Sequence, residues 1–144
     1  MNKFSILVAS LLTAALCLST NPKINAQNPP AKTYQPGDWQ PKARFANPQE
    51  GVKVIIVNKT LFPLQYGLST GDALSAEIPV GGRATLTTNV LPEYILIYPK
   101  QSNIELRYSV STKGNVATVD VQQTNDISGD STLNLHESGA IYVY

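Results

Sequence analysis

The residues that could do chemistry are few. The chain holds one histidine and one cysteine among 144 residues, so a serine nucleophile would have to rely on His136. It would need an acid such as Asp126 or Asp130 to orient the ring, and Ser131 or Ser138 to attack. No serine stands in a glycine-flanked elbow, and alternation puts His136 on the solvent face of a strand just before a turn. No catalytic set is therefore assigned. Ten acidic residues could in principle supply the paired carboxylates of a glycoside hydrolase. However, Glu105 and Asp120 fall on the polar faces of alternating strands, where charge serves solubility. One histidine with no companion thiols excludes a structural zinc site or a blue-copper site. A weak calcium candidate is the loop Asn125-Asp126-Ile127-Ser128-Gly129-Asp130, in which Asn125, Asp126 and Asp130 offer hard oxygen donors without EF-hand spacing or a closing Glu. The same residue types are also turn formers. Gly81-Gly82 lies between strands rather than ahead of a helix, so it makes no phosphate cradle. No cofactor is implied.

Aromatic side chains remain. Tyr66 and Tyr108 fall on inward phases of their strands. Tyr94 and Tyr98 share one face, and Tyr142 and Tyr144 share another. Rows of this kind pack across strands or stack on sugar rings or an aromatic-rich partner. Trp39, in Tyr34-Gln-Pro-Gly-Asp-Trp-Gln-Pro41, either docks back on the domain or meets a partner. The binding candidates are Trp39, Tyr94 and Tyr98.

The elements that must position these residues begin after an export segment. Lys3 precedes an uncharged run from Phe4 to Leu18, too short for a membrane span and matching a secretory signal peptide. Cleavage is expected after Ala26. Removal of residues 1–26 leaves 118 residues with 9 basic and 10 acidic groups, a net charge of −1, and takes away Cys17. An exported chain without disulfides points to bacterial export, secreted or periplasmic. Near-neutral charge gives no reason to expect nucleic acid as a partner. Asn58-Lys59-Thr60 is formally a glycosylation acceptor, which matters only outside a bacterial setting. Residues 27–50 carry five prolines and read as a Pro-rich extended arm, because Pro removes donors and constrains its neighbour.

Residues 51–144 read as a single, monomeric domain whose apolar residues follow a period of two. Val52–Val57 and Tyr94–Tyr98 are apolar on both faces, as central strands are. The clearest alternation is Ile104, Leu106, Tyr108 and Val110, followed by a turn at 112–115 and then Ala117, Val119 and Val121, a hairpin pattern. The expected fold is all-β, an antiparallel β-sandwich of about eight strands, with a small closed barrel as the alternative. An outer-membrane barrel would need longer strands than these. Residues 139–144 resemble the terminal strand of chaperone–usher pilus subunits, which would imply strand exchange with a neighbour's N-terminal extension. The prolines of residues 27–50 deny such a strand its donors, and the resemblance is carried no further. The expected function is a non-enzymatic interaction or structural module, its partner a protein or glycan of the cell envelope and no stable span of the membrane. The alternatives are a carbohydrate-binding module on an aromatic platform and, below it, a small hydrolase.

Overall fold

The alternating sequence forms ten strands in two facing sheets. The computed structural model describes residues 40–70 and 76–144; the export segment, its cleavage point and Trp39 lie outside the described residues. In chain order the strands are β1 (Ala43–Arg44), β2 (Val52–Asn58), β3 (Leu64–Leu68), β4 (Ala76–Ile78), β5 (Arg83–Thr88), β6 (Glu93–Pro99), β7 (Glu105–Lys113), β8 (Val116–Thr124), β9 (Thr132–Leu135) and β10 (Ala140–Val143), with a 3-10 turn at Pro48–Glu50. Six strands run β1-β10-β9-β6-β3-β4 and four run β5-β2-β8-β7. Both sheets have free ends, so the molecule is a sandwich and the closed-barrel alternative is set aside. Among the described residues no helix is long and apolar enough to cross a membrane.

The pattern within each strand explains its place. β2 lies between β5 and β8, with Val52, Val54 and Ile56 in the core. β6 lies between β3 and β9; it sends Ile95 and Ile97 inward and Tyr94, Leu96 and Tyr98 outward. The two inner faces interdigitate, and the Tyr108 hydroxyl crosses between them to donate to the Ile97 carbonyl at 2.6 Å. The hairpin forms as its alternation implies. Gly114, with φ of 60°, begins the two-residue turn between Lys113 and Val116, where a type II′ turn requires a residue at home in that region. One pairing departs from the antiparallel expectation. β2 and β8 are parallel, from Lys53 opposite Val116 to Asn58 opposite Val121.

The fold also begins earlier than Gly51. Within the stretch read as an arm, Ala43 pairs with Ile141 and Arg44 with Ala140, and Phe45 is buried in the core. Asn115 fastens this segment from the β7–β8 turn. Its Oδ1 accepts from the Asn47 amide at 2.7 Å, and its Nδ2 donates to the carbonyls of Asn47 and Gly51. Pro41 and Pro48 flank β1 rather than interrupt it, so the ladder loses no donor.

Candidate functional site

Of the residues of a possible hydrolase, His136 and Ser138 are in contact, while Asp126 and Asp130 bind Arg107. His136 lies just after β9, and its Nδ1 sits 2.9 Å from Ser138 Oγ while accepting from the Ser138 amide at 3.1 Å. This is a local turn contact. The ring packs edge-on against Tyr142 with centroids 6.1 Å apart. Among the described residues no carboxylate pairs with it.

Asp126 and Asp130 do come together, but around a guanidinium. Arg107 donates to Asp126 Oδ2 at 2.8 Å, Asp130 Oδ1 at 3.3 Å and the Ser128 carbonyl at 3.2 Å. Hydrogen bonding to Arg107, then to Thr124, together with the charge of Arg107, lowers the Asp126 pKa from its ordinary value. Asp130 Oδ2 accepts from the Tyr108 amide at 2.7 Å. Arg107 thus occupies the space between the two carboxylates of this loop, and Asn125 is exposed. Among the described residues no group of three or more His, Cys, Asp or Glu side chains is placed to hold a metal.

A buried carboxylate escaped the sequence reading, which opened the strand at Tyr94. Glu93 is 3% exposed and borders a cavity of about 170 Å³ between the sheets, walled by Val54, Leu68, Leu86, Ile95 and Leu135. Its signal was its inward phase, shared with Ile95 and Ile97. Oε1 accepts from the amide and hydroxyl of Ser69, both at 3.0 Å, and from the Tyr94 amide at 3.1 Å, while Oε2 accepts from the Thr70 hydroxyl at 2.5 Å. Burial opposes ionisation, but these hydrogen bonds outweigh it, and the pKa falls below the ordinary 4.5. A carboxylate so committed is a clamp between β3 and β6, poorly suited to moving protons.

Asn58 is a second structural surprise. It is fully buried; Nδ2 donates to the carbonyls of Phe62, Ile78 and Pro79, and Oδ1 accepts from the Thr60 amide and hydroxyl. In the fold the Asn58 side chain is a buried loop anchor.

The outer faces of the two sheets differ in what they expose. On the four-stranded sheet, β7 presents Glu105, Arg107, Ser109, Ser111 and Lys113, β5 presents Arg83, Thr85 and Thr87, and β2 presents Lys53 with half-buried Ile55 and Val57. The six-stranded sheet instead turns Tyr94, Leu96 and Tyr98 outward, 40%, 44% and 39% exposed, with Tyr144 at 51%. Register carries this surface across the sheet. Asn134 lies opposite Tyr142 on one side and Tyr94 on the other, while Leu96 lies opposite Thr132 and Gly67. The rings of Tyr142 and Tyr144 are nearly parallel, with centroids 6.3 Å apart. A Cβ added at Gly67 would meet nothing within 4 Å, so the surface is open beside Leu96. Between the flanking tyrosines Asn134 is only 8% exposed, and its Oδ1 has no hydrogen-bond partner. Of the sequence candidates, Tyr94 and Tyr98 sit on this face. Leu96, Asn134 and Tyr142 were missed as part of it, because only strand order makes them neighbours. Comparison with family models, curated proteins and solved structures finds no match.

Proposed function

We propose that this chain is an exported, non-enzymatic binding module that works through the outer face of its six-stranded sheet. The observation that carries the reading is the row Tyr94, Leu96 and Tyr98, exposed together on β6 and continued across β9 to Tyr142 and Tyr144. Single exposed apolar residues are ordinary, whereas contiguous ones mark interaction surfaces. Tyr supplies broad, stiff contact area at low entropic cost. The second reading, a carbohydrate-binding module, draws support from the aromatic character of the row.

The test compares the purified chain with a variant carrying Tyr94→Ser, Leu96→Ser and Tyr98→Ser, each immobilised and incubated with protein and glycan fractions of cell envelopes. Specific material retained by the unmodified protein and lost from the variant is the expected result. Equal retention by both would remove this face from the function.

A further inference from the structure

We propose that the cavity beside Glu93 is a second binding site, one that takes a small primary ammonium ion carrying an apolar body of about benzene size. The site lies between the sheets and is separate from the outer tyrosine row. Its volume, about 170 Å³, is close to the roughly 150 Å³ of an engineered apolar cavity that holds benzene. Val54, Leu68, Leu86, Ile95 and Leu135 wall it, so the body of an occupant must be apolar. Thr70 and Thr87 are exposed at its border, which gives a ligand a way in between the ends of β3 and β5.

Charge decides the other end of the ligand. Glu93 is 3% exposed, and both it and Thr70 border the cavity. Its carboxylate is held ionised by hydrogen bonds alone, with no basic side chain contributing. Among the described residues the ion pairs engage Asp120, Glu77, Asp126 and Asp130, not Glu93. Buried charges are ordinarily paired, so a cation is what this wall lacks.

Hydrogen-bonding capacity points the same way. Oε1 of Glu93 takes three hydrogen bonds, whereas Oε2 takes one, from Thr70, and a carboxylate oxygen has room for two. The Thr70 hydroxyl donates its proton to Oε2, and the Thr88 hydroxyl, also on the cavity border, donates its own to the Val90 carbonyl. Both hydroxyls are left with lone pairs only. Glu93, Thr70 and Thr88 therefore offer an incoming group acceptors and no donor. An anion or a carbonyl gains nothing from them. An ammonium, which carries only donors, is matched by Oε2 and Thr70 Oγ1.

Heteronuclear NMR titration of the full chain tests the proposal, with benzylamine, cationic at neutral pH, as the probe and benzyl alcohol as its neutral counterpart. Benzylamine is expected to shift the amide signals of Thr70, Leu86 and Glu93 and to bind about tenfold more tightly than benzyl alcohol. Glu93→Gln keeps the side-chain shape and removes the charge, so it should weaken benzylamine about tenfold and abolish that preference. Leu86→Phe, which fills the cavity from β5, should weaken both probes while leaving Glu93 in place. Thermal melts show which variants are folded at the titration temperature. The unmodified protein alone can overturn the proposal, by showing no shifts at the cavity, equal affinity for the two probes, or shifts confined to Leu96, Tyr98 and Tyr142. Unchanged benzylamine affinity in folded Glu93→Gln would overturn it as well.

Discussion

Asn58 and Asn134 are both buried amides on strands, and their environments predict opposite responses to substitution. Asn58 spans from the end of β2 to the carbonyls of Phe62, Ile78 and Pro79, so removing its side chain orphans several buried groups at once. Asn58→Ala is expected to lower unfolding free energy by about 3 kcal/mol, read from urea denaturation midpoints. Asn134 already carries an unsatisfied oxygen. Asn134→Leu keeps a similar volume and removes that cost, so it should raise stability by about 1 kcal/mol in the same measurement; a decrease would mean the oxygen is satisfied in solution. Neither role was legible in the sequence. Asn58-Lys59-Thr60 has the form of an acceptor motif, and the burial that makes it a loop anchor comes from residues about 20 positions away. Asn134 shares its phase with Thr132 and His136, opposite Leu133 and Leu135, but the residues beside it are tyrosines on two other strands.

Strands were legible wherever alternation was strict. The hairpin of β7 and β8 follows directly from Leu106, Tyr108, Val119 and Val121, and β6 was recognisable as central because both of its faces are apolar. Pairing direction was not legible. A period of two is the same for a strand run in either sense, so nothing in Val52–Asn58 reveals that β8 lies parallel to it. The end of the arm was missed for another reason: two residues of β1 are too few to show a period. At the edge of the four-stranded sheet, β7 is long and would invite pairing with another chain. The loop after β8 blocks part of that edge. Asp130 takes the Tyr108 amide on its carboxylate and donates its own amide to the Leu106 carbonyl, filling the place of a neighbouring strand. Asp130→Ala should cost about 1–2 kcal/mol and promote self-association, seen by sedimentation velocity. Asp130→Asn keeps an acceptor for Tyr108 and should lose less. Equal stability of Asp130→Ala and the unmodified protein would show that the edge needs no such cover.

At the scale of the whole molecule, the composition leaves the chain no internal disulfide to lean on, since its single cysteine is Cys17. Stability rests on the packing between sheets and on a few buried polar groups that tie strands together. Among these Glu93 makes the fold sensitive to acid. Its pKa in the folded protein lies below 4.5, whereas in the unfolded chain it returns to the ordinary value. Between those two values the unfolded state binds more protons, so stability rises with pH across the window and is complete above it. As pH falls through the folded pKa, the carboxylate protonates, the bonds from Ser69 and Thr70 lose their charged acceptor, and β3 loosens from β6. Glu93→Gln should therefore be less stable than the unmodified protein at pH 7. Its stability should change less between pH 5 and 3, so that the two urea-unfolding profiles converge at low pH. Profiles that stay parallel throughout would place the acid sensitivity elsewhere. Because Tyr94 follows Glu93 directly and donates its amide to the same carboxylate, the clamp also sets the start of the exposed tyrosine row. Loss of binding at low pH that precedes global unfolding, and is absent in Glu93→Gln, would tie the inner clamp to the outer face.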